Sequence, residues 1–390
     1  MKFKRVFLIV LDSLGVGAMP DAAKFNDVGA NTLESILKAK DIVNIPNLQK
    51  LGFTNLSSIN KYHTNNPKAV VAKLAEESNG KDTMTGHWEF MGIKTVEPFV
   101  TFTEHGFPKE LIDELEEKTG YKVIGNKAAS GTEILDELGP RQMKTKELIV
   151  YTSADSVLQI AAHEDIIPLK ELYRCCEIAR AITMKPEWLL GRVIARPYIG
   201  TPNNFKRTPN RHDYALKPPK DTVLDNLKNS GYETISIGKI YDIFDGKGLT
   251  ESNKTISNDD GMDQTIAMVK NRDFKGLCFV NLVDFDAVYG HRRNAKGYAT
   301  ALEEFDVKLN EVLTNLKDDD LLILTADHGN DPNFRGSDHT REYAPFVAYY
   351  NKLQKGKMLP VIESFASIGA TIAENFEVAL PKIGEVINID

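Results

Sequence analysis

Three short runs in this chain, residues 6–11, 277–283 and 321–324, are apolar almost without a break, and acidic residues follow each of them. A strand that is apolar at successive positions has to be covered on both faces, the condition met by parallel strands in an open α/β sheet. Such sheets present their functional groups in the crevice outside the carboxyl ends of the strands. Asp12 follows the first run. Asp284, Asp286 and His291 follow the second, and Asp327-His328 follows the third, with His339 beyond a loop holding Gly329, Pro332 and Gly336. One Asp-His pair is often just a solvated loop. Here all three strand ends carry carboxylates and three of the eight histidines lie beside them, which suits divalent transition metals such as Mn²⁺ or Zn²⁺. Three carboxylates and three imidazoles exceed the needs of one catalytic ion, whereas two ions about 4 Å apart are usual for phosphoryl chemistry.

A second unusual stretch is 80–92, GKDTMTGHWEFMG. Thr83 and Thr85 follow Asp82 and precede an apolar-aromatic segment, the pattern of a helix N-terminus. A threonine there, near a metal, is a candidate nucleophile, because the ion lowers the hydroxyl pKa and the helix dipole favours the anion. The spacing does not choose between the two threonines.

From about residue 98 to 218 the character changes. Acidic helical patches alternate with short apolar runs, and 169–182 has clear amphipathic periodicity, as expected of an inserted, smaller α/β lobe bounded by prolines. Inside it, Ser153, Asp155 and Ser156 fall at a strand end suited to hydroxyl recognition. The segment 192–213 gathers Arg192, Arg196, Lys206, Arg207, Arg211 and His212 among prolines and asparagines. A local basic cluster on a protein of net charge −7 suits a small anion, which arginine forks grip in bidentate fashion. Aromatics are not interleaved through it as a nucleic-acid groove would require. Beyond 219 the strand–helix rhythm resumes, with a strand at 234–237 leading into Gly238-Lys239 and a core-facing stripe along 299–316.

At 390 residues the chain is long enough for two domains. The net charge argues against general nucleic-acid or anionic-membrane binding. Three cysteines without metal-site spacing fit a reducing compartment. The apolar run at the N-terminus is too short for a signal core and ends at Asp12, so the expectation is a cytoplasmic protein with no membrane association.

The stretches FLIVLDSLGVGAMPDA, GKDTMTGHWEFMG, YTSADSVLQIAAHE, RPYIGTPNNFKRTPNRHDY, NLVDFDAVYGHRRN and LTADHGNDPNFRGSDHTREYAP span the chain, and in them it resembles the bacterial phosphopentomutases of the alkaline phosphatase superfamily. That resemblance implies an alkaline-phosphatase-like α/β core with a central, mostly parallel sheet flanked by helices. The core would be formed by residues 1–98 and 218–390, with a cap domain at 99–217. It implies Thr85 as the phosphorylated residue, one Mn²⁺ on Asp12, Asp327 and His328, and a second on Asp286, His291 and His339. Asp284 is then a supporting group. In the cap, Ser153, Asp155 and Val157 would contact the pentose; Arg192, Arg207 and Lys239 would contact the phosphate remote from the metals. The implied reaction interconverts (deoxy)ribose 1-phosphate and 5-phosphate through a 1,5-bisphosphate. A sugar bisphosphate, glucose 1,6-bisphosphate or ribose 1,5-bisphosphate, would prime it. Partners would be small sugar phosphates, with no obligate protein partner.

Overall fold

The computed structural model describes residues 1–153 and 156–390. Its strands in chain order are β1 Arg5–Leu11 and β2 Val70–Leu74, then β3 Val123–Ala128, β4 Leu148–Thr152, β5 Val157–His163, β6 Arg192–Thr201, β7 Asn204–Arg207 and β8 His212–Ala215, then β9 Glu233–Ile237, β10 Glu251–Asn253, β11 Gly276–Leu282, β12 Asp320–Thr325, β13 Ala344–Tyr349 and β14 Lys357–Met358. The chain divides into two compact units, 1–97 with 218–390, and 98–217.

In the first unit eight strands form one sheet in the order β10-β9-β11-β1-β12-β13-β2-β14. The first five run parallel, β13 runs against both its neighbours, and β14 lies parallel to β2. The three apolar runs are the adjacent central strands β11, β1 and β12, buried at every position. Their registers are flush: Leu11 pairs with Leu282, and Val10 with Thr325. Neighbouring strands lie about 4.8 Å apart, so residues just beyond these ends are brought together by the sheet itself. At the opposite end Arg5 and Asp320 form a buried, bidentate pair at 2.7 and 2.6 Å. Helices flank the sheet. The longest, Ala295–Asn315, buries Leu302, Phe305, Leu309 and Val312, the expected stripe.

The second unit has its own sheet, β3-β4-β5-β6-β7 with β8 also on β6. One face packs Val150, Leu158, Ile160, Val193 and Ala195 under the helices Lys109–Thr119 and Leu169–Ile182. The other packs Tyr151, Ala161 and Tyr198 under Ile134 and Leu135 of the helix Glu133–Thr145. Segment 192–213, the basic cluster, is built on strands β6 and β7 and the start of β8. Arg192–Thr201 pairs along its length with β5 and continues through Pro197. Among the described residues no helix is long and apolar enough to cross a membrane.

Candidate metal centre

Asp12, Asp286, Asp327, His291, His328 and His339 converge at the carboxyl ends of β1, β11 and β12. Asp286 and His291 stand on a short π-helical turn, Phe285–Gly290 and the residue after it. Nε2 of His339 lies 3.1 Å from Nε2 of His291 and 3.4 Å from Oδ1 of Asp286, and Nε2 of His291 is 3.1 Å from Oδ2 of Asp286. Nε2 of His328 is 3.4 Å from Oδ2 of Asp327 and 3.6 Å from Oδ1 of Asp12. Two groups therefore have donor atoms close enough for an ion, Asp286/His291/His339 and Asp12/Asp286/His328, so that Asp286 stands between them.

Backbone carbonyls orient every imidazole. Nδ1 of His291 donates to Ser337 O, that of His339 to Lys81 O and that of His328 to Gly329 O, at 2.8, 2.9 and 3.1 Å. Each Nε2 lone pair is thereby turned inward, the usual support of a metal-binding histidine. Oδ1 of Asp12 and Oδ2 of Asp327 are buried with no hydrogen-bond partner. Buried, unpaired carboxylate oxygens facing convergent imidazole nitrogens fit a bound cation.

The electrostatics agree. Burial, then the charges of Asp327 and Asp286, push Asp12 well above its usual range. Burial also disfavours the charged form of Asp327, but His328 and His87 outweigh it and hold it at about 2. Burial would lower His328, yet Asp327, Asp286 and Asp12 raise it to about 9. The site is short of positive charge, and a proton on His328 occupies the place of a cation.

Around the cluster the loops are tied down. The buried carboxylate of Glu342 accepts from Gly17 N, Thr32 N, Thr32 Oγ1 and Thr340 Oγ1 at 2.7–3.0 Å. Asn330 Nδ2 donates to Asp286 Oδ1 at 2.7 Å. Arg341, also buried, donates to Glu76 Oε2 and Gly80 O, both at 2.6 Å, anchoring the turn that leads into the helix Thr83–Phe90. Asp284 lies outside the cluster, exchanging hydrogen bonds with Asn258 at 2.7 and 2.9 Å.

That helix is capped by Asp82, whose Oδ1 accepts from Met84 N and Thr85 N. Gly86 lets it sit directly on the backbone of Asp327, since a Cβ there would stand 2.2 Å from Asp327 O. Thr83, half-buried at the first helical position, places Oγ1 3.2 Å from Nε2 of His328. Thr85 is fully buried, its hydroxyl donates to Asp82 Oδ2 at 2.6 Å, and Gly80 packs against it. Of the two threonines, Thr83 therefore contacts His328 and Thr85 contacts Asp82. Two further groups lie close by that sequence reasoning passed over, His87 beside Asp327 and Asn281 beside Asp12. Lys239 follows β9 at the same end of the sheet, close enough that its charge partly offsets the burial that raises Asp12.

In the second unit Val157 pairs with Arg192 in register, and Ile194 with both Gln159 and Asp213. These residues share one face with Arg196, whose Nε donates to Gln159 Oε1 at 2.9 Å. Burial lowers Arg196 to about 10, and the neighbouring charges of Arg211 and Arg207 contribute in the same direction. Arg207 folds over Gly131 toward Tyr151 Oη; a Cβ on Gly131 would meet both. Arg192 lies 3.7 Å from Asp213. Ser153 is half-buried at the end of β4, and Asp155 falls outside the described residues.

A model of the Metalloenzyme superfamily matches residues 4–380. A phosphopentomutase of Clostridium perfringens (strain 13 / Type A) is 59% identical over 99% of this chain and 98% of that protein. One of Clostridium botulinum (strain Alaska E43 / Type E3) is 58% identical over 98% of this chain and 96% of its own. Among solved structures, a Leishmania mexicana phosphoglycerate mutase is 11% identical, with a TM-score of 0.49 over 100% of this chain and 98% of that one. This chain belongs to the phosphopentomutase family, isomerases that work as intramolecular phosphotransferases.

Proposed function

We propose that the chain interconverts ribose 1-phosphate and ribose 5-phosphate, and the 2-deoxy pair, with Thr85 carrying the phosphoryl group between the two positions. The observation that carries this reading is the cluster of buried carboxylates and imidazoles at the strand ends, with the helix that begins at Thr83 seated on the Asp327 backbone through Gly86, the neighbour of Thr85. Asp286, His291 and His339 would hold one ion, and Asp12, Asp327 and His328 the other. Mixed carboxylate and imidazole donors suit Mn²⁺. Such ions lower the pKa of a nearby hydroxyl and neutralise charge on a phosphoryl group in flight.

The remaining steps belong to the side chains. Thr85 Oγ1 attacks the phosphorus of a sugar bisphosphate in line, and the bond to the sugar oxygen breaks, leaving phosphothreonine and a monophosphate. The free hydroxyl of an incoming pentose monophosphate then attacks phosphothreonine, giving a 1,5-bisphosphate. After the sugar reorients, the other phosphoryl group returns to Thr85. Asp82 caps the helix start and accepts from the Thr85 hydroxyl, and the helix dipole favours the anionic group. Arg192, Arg207 and Lys239 would bind the phosphate that is not transferred; Ser153, Asp155 and Val157 would hold the pentose. The second unit serves as a cap that keeps water from phosphothreonine, the property that separates a mutase from a hydrolase. Priming falls to glucose 1,6-bisphosphate or ribose 1,5-bisphosphate, and the setting is the cytoplasm, consistent with three free, buried cysteines.

The test is a coupled assay with Mn²⁺, ribose 1-phosphate and a trace of glucose 1,6-bisphosphate, following ribose 5-phosphate and inorganic phosphate together. Ribose 5-phosphate with little free phosphate is the expected result. Stoichiometric free phosphate and ribose would make the chain a hydrolase.

A further inference from the structure

Asn281 interrupts the apolar run of β11 and is buried to 1% exposure beside Val10 of β1. Its Nδ2 lies 2.9 Å from Asp12 Oδ2 and 3.5 Å from Nε2 of His87, while its Oδ1 is buried with no partner. His87 is itself fully buried. Its Nδ1 lies 2.8 Å from Thr83 O and 3.3 Å from Asp327 Oδ2, and its ring stacks on Phe279.

These contacts assign the hydrogens. An amide nitrogen carries two, one aimed at a carboxylate that only accepts and the other at an imidazole nitrogen. Nδ1 of His87 faces the carbonyl of Thr83, so that its Nε2 faces the amide nitrogen of Asn281. The reverse orientation of the amide would set its carbonyl oxygen against the Asp12 carboxylate. The unpartnered Oδ1 is therefore the consequence of using both donors. Leucine has nearly the same shape and no polar atom to strand, so stability alone does not favour asparagine here.

We propose that Asn281 is a positioning residue for the ion held by Asp12, Asp327 and His328, and that it couples this ion to the helix bearing Thr83. One amide hydrogen occupies Asp12 Oδ2, so that Asp12 presents the unpaired Oδ1 to the ion. The other fixes His87, which braces Asp327 and the backbone of Thr83. No atom of Asn281 touches substrate in this assignment. The proposal rests on the reading of the cluster as a two-ion centre, and its test is a binding measurement made without any sugar phosphate.

Mn²⁺ is titrated calorimetrically into the metal-free full-length chain, with His328→Ala and His339→Ala as references that assign each binding step to its ligand group. In Asn281→Leu, and in Asn281→Ala should leucine not fold, the step belonging to the Asp12 group is expected to weaken by about 10- to 100-fold, the usual cost of losing a group that orients a ligand. The step belonging to Asp286, His291 and His339 should stay within about twofold. Unchanged affinity at both steps overturns the proposal, and so does equal weakening of both, which marks general loosening. A chain that takes up no Mn²⁺ at all overturns the two-ion reading and Asn281's role with it.

Discussion

Thr83 and Thr85 are two residues apart on one helical turn, and nothing in their spacing ranks them. What separates them is Asp82. One carboxylate oxygen caps the helix and the other takes the hydroxyl of Thr85, leaving Thr83 to face His328. Thr85→Ala should lower phosphoryl transfer by at least ~10³, with metal content unchanged by elemental analysis; retained mutase activity would remove Thr85 from its role. His328 gives a pH signature in the metal-free chain. Its folded pKa, about 9, lies above the ordinary imidazole value of 6.5. Its contribution is complete below that unfolded value and is lost as pH rises through about 9. Melting temperatures of chelator-treated protein should therefore fall across this interval, whereas Mn²⁺-loaded protein, with a cation in place of the proton, should not follow.

At the level of elements, the sheet was the most legible part of the chain. Strands buried on both faces leave no polar alternation, so β1, β11 and β12 could be read from composition and the residues after them assigned to one crevice. Strands bearing charge were harder. β6 carries Arg192, Arg196 and Pro197, because one of its faces is only partly covered, so its pattern shows a basic cluster rather than a strand. Asn281 was hidden for the opposite reason, as one polar residue inside an apolar run whose meaning depends on two distant partners. The far end of the sheet offers a control. Arg5→Leu strands the buried Asp320 carboxylate and should cost about 3–5 kcal/mol in chemical denaturation, with turnover per folded molecule unaltered because the pair lies at the end away from the ligands. Activity that falls more than the folded fraction would contradict that separation.

For the whole molecule, the chemistry divides between two units that each close a core. The 98–217 unit covers both faces of its sheet with its own helices. Expressed alone, it should unfold in one cooperative transition; a non-cooperative melt would show that it depends on the rest of the chain. If this unit supplies phosphate recognition, Arg207→Ala should raise KM for pentose phosphates about tenfold or more, by the loss of a charge-assisted contact. Hydrolysis of a small generic phosphate ester should be untouched, and an equal loss on both substrates would count against a phosphate clamp.

The central claim is that Thr85 carries the phosphoryl group, and phosphosite localisation tests it most directly. After incubation with Mn²⁺ and glucose 1,6-bisphosphate, tandem mass spectrometry of the peptide spanning residues 82–94 should place the phosphate on Thr85. Phosphate on Thr83, or no phosphopeptide despite full mutase turnover, would contradict it.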